Sequence, residues 1–166
     1  LVIKGARLLA ERVRGLTVGR FALDKQLLVA AGIGGGSAEG AAAVRLLARL
    51  NGLALDDPRL IEVAQLTGAD VPVCLASRAC VMTGVGETLQ PLSLPDMPCV
   101  MVNPCVPVAT RDVFNALGLR NGELLVGATD VLLQDVSWPE AGASVGEWIS
   151  AFEEVGNDLE APARRI

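Results

Sequence analysis

Residues 29–43 read Val-Ala-Ala-Gly-Ile-Gly-Gly-Gly-Ser-Ala-Glu-Gly-Ala-Ala-Ala, so three consecutive glycines stand directly before a strong helix former. Glycine interrupts helices and loses more backbone entropy on ordering than any other residue. A chain that keeps it here needs bare backbone, and two physical reasons are available. The glycines can let a helix press closely on its neighbours. Alternatively, they let backbone N–H groups close on a phosphate while the following helix presents its positive end. Three in a row favour the second reason. Ser37 then caps the helix or offers a hydroxyl to a phosphate or a metal ion.

The surroundings exclude two familiar nucleotide motifs. A dinucleotide-binding turn wants G-x-G-x-x-G and an acid about twenty residues on, at the end of a second strand. Residues 50–54 supply no such acid, and no G-K-[ST] follows the glycines as a Walker loop requires. The net charge of -5 argues against a broad nucleic-acid surface, which needs a basic patch. With 51% hydrophobic and 20% charged residues the chain is core-forming, and its 166 residues suffice for one ordinary domain or two small ones. The longest apolar run, residues 27–36, is too short to span a bilayer, and the N-terminus lacks a signal-peptide pattern. The expectation is a cytoplasmic protein with a small-molecule partner and neither nucleic acid nor membrane.

Periodicity predicts helices over residues 1–14, 37–50, 58–67, 110–117, 123–133 and 146–155, and strands over 17–24, 79–83, 88–92 and 99–103. In the first helix Ile3, Ala6, Leu9, Ala10 and Val13 recur at helical spacing. In the second, Ala42 or Ala43, Leu46, Leu47 and Leu50 form the packing stripe, with Arg45 and Arg49 on a solvated side. Asp57 ahead of Pro58 reads as an N-cap, and so does Thr110. Three prolines within residues 91–98 mark a domain junction, dividing the chain into residues 1–95 and 96–166.

Asp70 stands alone among Gly68, Ala69, Val71, Pro72 and Val73. An acid in such surroundings is either a helix N-cap or a catalytic carboxylate able to orient and deprotonate an attacking hydroxyl. The chain has no histidine, so a general base must be a carboxylate, a lysine or a cysteine. Cys74, Cys80, Cys99 and Cys105 form no close-spaced pair, which disfavours a zinc site. They read as buried reduced thiols.

Five stretches together resemble the GHMP kinases: the glycine run, "LTGADVPVCL" (66–75), "GVGETLQPL" (84–92), "VNPCVPVATRDVF" (102–114) and "GNDLEAPA" (156–163). Their order and spacing match over essentially the whole chain, and residues 118–150 match least. The triple-glycine form is that of family members acting on a cytidine-diphosphate methylerythritol. The resemblance implies an α+β fold: a ribosomal-S5-like N-terminal domain that binds ATP and a ferredoxin-like C-terminal domain, both incomplete here. It implies ATP and Mg2+ as cofactors. Val29, Ala30, Ala31, Gly32, Ile33, Gly34, Gly35, Gly36, Ser37 and Ala38 would hold the nucleotide, with Ser37 also near the metal. Asp70 would be the catalytic base and contact substrate. Thr110 and Phe114 match positions lining the substrate pocket, although Thr110 also reads as an N-cap and Phe114 as a core residue.

The family's catalytic lysine, cytosine pocket and late glycine-rich loop have no counterpart in these residues, so the isolated segment is expected to show little activity. Three departures from the pattern stand out: Leu28 for proline, Glu39 for aspartate and Cys105 for glycine. They leave two alternatives open, a GHMP kinase acting on another small alcohol and an inactive nucleotide-binding remnant.

Overall fold

The computed structural model describes residues 1–26, 32–103, 106, 108–118 and 137–166. They fall into two compact units, one within Leu1–Leu28 and Ile33–Leu92, the other within Val29–Gly32 and Ser93–Ile166. The expected helix over 123–133 lies outside the described residues, as do Leu28, Val29, Ala30, Ala31 and Cys105.

The first unit is built on four helices and a hairpin: α1 (Val2–Arg12), α2 (Gly35–Leu50), α3 (Pro58–Thr67), α4 (Val71–Ala76), β1 (Cys80–Thr83) and β2 (Thr88–Pro91). Its core gathers Leu9 from α1, Val44 and Leu47 from α2, Leu60 and Val63 from α3, and Val71 and Leu75 from α4. Burying side chains of this size contributes about 1.5–3 kcal/mol each, which is why four helix faces converge on one cluster. The α2 stripe is turned from the expected one. Gly40, Ala41, Ala43, Val44, Leu47 and Ala48 face inward, whereas Leu46 is 64% exposed and Leu50 also faces solvent. Small residues win the inner face because α1 lies close. A Cβ on Gly40 would meet the Leu1 Cβ at 3.1 Å, and one on Gly5 would meet Val44 Cγ2 at 3.2 Å. Likewise α1 buries Gly5, Ala6 and Leu9 while Ile3 is exposed.

Asp57 caps α3 as expected, its carboxylate accepting from the Arg59 N–H at 2.9 Å. Arg59 also grips that carboxylate through its guanidinium, and these bonds hold the Asp57 carboxyl down to about 2. The hairpin pairs antiparallel, Cys80 with Pro91 through Thr83 with Thr88, so residues 84–87 form the turn.

Two expected strands are absent. Residues 17–24 are extended without a ladder, because no second strand lies alongside among the described residues. A side chain takes that place: the Asn51 amide accepts from the Thr17 N–H at 2.8 Å and donates to the Thr17 carbonyl at 2.9 Å and the Leu47 carbonyl at 2.8 Å. Val18 and Phe21 then pack on the core. Residues 99–103 are likewise irregular, and Val100 is 90% exposed rather than buried. Apolar β-branched residues read as a strand, but a strand exists only where a partner accepts its hydrogen bonds.

The second unit contains α5 (Thr110–Leu117), α6 (Val145–Val155) and α7 (Glu160–Arg164). Ser144 and Glu147 close a capping box at the start of α6. Trp148 is fully buried there, stacked on Trp138 at 6.1 Å and tilted against Phe152 at 5.7 Å. Across the described residues the chain is α+β, with mostly helices and one small antiparallel sheet. No described helix is long and apolar enough to cross a membrane.

Candidate functional site

Helix α2 begins two residues earlier than expected. Gly34 is its N-cap in the left-handed region (φ 69°, ψ 12°), and Gly35, Gly36 and Ser37 form its first turn. Ser37 is therefore not the cap, and no side chain caps this end. The first helical bond runs from the Ala38 N–H to the Gly34 carbonyl at 3.0 Å, so the N–H groups of Gly35, Gly36 and Ser37 have no acceptor within the helix. Among the described residues, a Cβ on Gly32 or Gly34 would touch nothing within 4 Å. No described neighbour thus calls for glycine at those two positions, whereas Gly5 and Gly40 sit in tight packing. Gly34 and its neighbours thus set three N–H groups without intrahelical acceptors at the positive end of a sixteen-residue helix.

Glu39, one turn into α2, is ion-paired with Lys25. The lysine thereby stands beside the second turn of α2. Sequence reasoning missed it, because no short-range spacing links residues 25 and 39.

Asp70 precedes α4 as its N-cap residue, yet its side chain makes no cap hydrogen bond and is exposed to solvent. The capping alternative is therefore overturned: α4 gains no hydrogen bond from this carboxylate, which stays available. The loop that carries it is held from several sides. The Lys4 ammonium donates to the Thr67 carbonyl at 3.2 Å, Thr67 is buried with its hydroxyl on the Val63 carbonyl at 2.6 Å, and the Val71 N–H donates to the Gly68 carbonyl at 3.0 Å.

One methyl group joins this loop to the glycine turn. Cβ atoms built on Gly36 and on Gly68 would each lie 3.9 Å from the same Leu1 Cδ1. The start of α2 and the Asp70 loop thus flank a single side chain. Arg45 adds a second tie. It is half-buried rather than on a solvated side, and its guanidinium donates to the Cys74 and Leu75 carbonyls at the last turn of α4. A cation there satisfies carbonyls that the helix leaves open. Burial pushes the Cys74 thiol up, the Asp70 charge pushes it further, and Arg45 partly offsets both.

The cysteines are less buried than expected. Cys74 and Cys80 are half-buried and Cys99 is exposed, all three as free thiols. Among the described residues no group of three or more His, Cys, Asp or Glu side chains could hold a metal ion.

Thr110 and Phe114 part company in the second unit. The α5 cap is Ala109, with Thr110 the first helical residue. Thr110 lines a cavity of about 530 Å³ together with Gly32, Asn103, Val113 and Asn157. Phe114 is 52% exposed, not a core residue, and does not line that cavity; Val113 is the buried residue of α5.

The family model of the GHMP kinases N terminal domain matches residues 1–78. Similarity extends well beyond that match. Over all 166 residues the chain is 72% identical to the 4-diphosphocytidyl-2-C-methyl-D-erythritol kinase of Bradyrhizobium diazoefficiens. The chain is thus similar to the GHMP kinases over its first 78 residues and to a named kinase over its whole length. It is 68% identical to the enzyme of the same name from Rhodopseudomonas palustris and 67% to that from Nitrobacter hamburgensis, again over all 166 residues. The chain spans 56%, 55% and 54% of these three relatives, a little over half their length. No solved structure matches it.

Proposed function

We propose that this chain is part of a GHMP kinase, an ATP-dependent enzyme that phosphorylates the 2-hydroxyl of 4-diphosphocytidyl-2-C-methyl-D-erythritol, a step in isoprenoid precursor synthesis in the cytoplasm. The observation that carries the reading is identity of 67–72% over every residue of the chain with relatives bearing that name. Residues 1–95 are the ATP-binding domain and residues 96–166 the second domain.

The residues present fit the nucleotide. Three N–H groups without intrahelical acceptors, fronted by backbone that carries no Cβ, suit phosphate oxygens. Residues 29–38 hold the phosphates, and Ser37 adds its hydroxyl. Mg2+ would neutralise phosphate charge, and Ser37 would offer it a hydroxyl oxygen, in keeping with an ion that retains water and phosphate ligands. Glu39 is held by Lys25 and stays outside that set. Asp70 accepts or orients the proton of the attacking hydroxyl from an exposed, uncapped carboxylate. Thr110 orients substrate from its cavity wall, and Phe114 offers an exposed ring to the substrate.

The test is ADP release by the full-length protein in a coupled assay, with and without the diphosphocytidyl alcohol. Release that depends on that alcohol is expected. ATP binding with no substrate-dependent release would overturn the reading.

A further inference from the structure

The hairpin turn "GVGE" has no part in the chemistry above, yet one of its residues is placed unusually. Gly84, Val85 and Glu87 are exposed, as a turn should be, whereas Gly86 is buried. What covers it is backbone. A Cβ on Gly86 would fall far inside van der Waals contact with the Ala69 carbonyl oxygen and would also crowd Ala69 C and Cα. Its φ of 94° independently disfavours any side chain.

Gly84 supplies the comparison within the same turn. It has a similar φ of 69°, but the atoms a Cβ would meet are those of the Glu87 carboxylate, the far end of a flexible side chain. Turn shape alone therefore explains Gly84. It does not explain why Gly86 lies against Ala69.

The Ala69 carbonyl belongs to the planar peptide unit whose N–H is that of Asp70. Holding that oxygen holds the plane from which the Asp70 Cα and carboxylate project. We propose that the β1–β2 turn is a seat for the Asp70 loop and that Gly86 is a positioning residue for Asp70. On the far side the loop is anchored by Lys4 at the Thr67 carbonyl, so backbone contact at Ala69 fixes the free end. The turn is itself braced, the Val85 N–H donating to the Glu87 carboxylate at 2.6 Å. The catalytic part of this inference rests on the kinase reading; the seat does not.

Two readouts on the full-length protein separate them. The first is amide hydrogen exchange at Val71, whose N–H is held by the Gly68 carbonyl inside the loop. The second is steady-state kinetics. Gly86→Ala should speed exchange at Val71 about tenfold or more and lower kcat about 10- to 100-fold. KM for ATP should stay within about twofold. Gly84→Ala, with comparable backbone strain but only the flexible Glu87 carboxylate to displace, should change both readouts far less. Because Gly86→Ala can fail to fold, residues 84–87 are also replaced by a two-residue Asn-Gly turn, which suits the Thr83–Thr88 pairing and withdraws the tip without strain. The same losses are expected there. Unchanged exchange in both turn variants, or equal effects from Gly84→Ala, would overturn the seat. Faster exchange with unchanged kcat would overturn the positioning role. A wild-type protein without turnover would instead sink the kinase reading, and the exchange data would still decide the seat.

Discussion

Gly34→Ala tests why the glycine turn is bare. At φ 69° and ψ 12° an alanine sits in the left-handed region, which costs about 1–2 kcal/mol relative to glycine. Among the described residues no atom lies within 4 Å of the added Cβ, so none of them adds a packing cost. Urea unfolding of the full-length protein should show a loss of that size with an unchanged slope. Gly34→Asn should recover most of it, since asparagine tolerates this backbone region and favours helix N-caps. Both variants nevertheless place a Cβ where phosphate oxygens must approach. Calorimetry should show ATP affinity reduced about tenfold or more in each, a loss of at least about 1.4 kcal/mol. A loss of stability far beyond about 2 kcal/mol in Gly34→Ala would show that the position is packed after all. A stable Gly34→Asn protein that binds ATP as the wild type does would refute phosphate approach as the reason for glycine.

Asp70→Asn should leave ATP binding nearly intact in calorimetry and reduce substrate-dependent ADP release about 10²- to 10⁴-fold; near-normal release would remove Asp70 from the mechanism. Leu60→Ala, at a fully buried site in the core shared by four helices, should cost about 3–5 kcal/mol in urea unfolding. A cost under about 1 kcal/mol would mean that the core collapses onto the gap. The Asp57 carboxyl is held down to about 2 from an ordinary 3.8, so its contribution is fully present above 3.8 and is lost as pH falls through about 2. In acid titrations followed by thermal unfolding, Asp57→Asn should flatten the decline across that window, and a curve parallel to wild type would refute the pairing.

Local signals were legible where the sequence carries its own partner. Asp57 followed by Pro58 and two β-prone runs around Gly84 and Gly86 each contain both halves of the interaction that forms the element. The glycine turn was legible for the same reason, as backbone freed by composition alone. What sequence could not show depends on distant partners. The run 17–24 has strand chemistry but meets the Asn51 amide instead of a ladder. Arg45 reads as a surface residue until α4 ends beside it. Gly40 reads as part of the glycine turn's helix, and only the approach of Leu1 shows that it is there for packing. Within the candidate site, Asp70 was legible as an isolated acid, whereas the exposure of Phe114 followed from which side of α5 packs.

The Asn51 amide also has a consequence for how the protein ages. An asparagine followed by glycine, as at Asn51-Gly52, is chemically labile, because the next backbone nitrogen can attack the side-chain carbonyl and expel ammonia. Here all of that amide is engaged by Thr17 and Leu47, and the α2 terminus fixes its geometry. Deamidation would replace a donor to two carbonyls with a negative charge at the negative end of the helix. The folded chain thus shelters its own weak point. Peptide mapping of stored protein should show Asn51 converting more slowly in the folded state than in urea, so that accumulated aspartate there records time spent open.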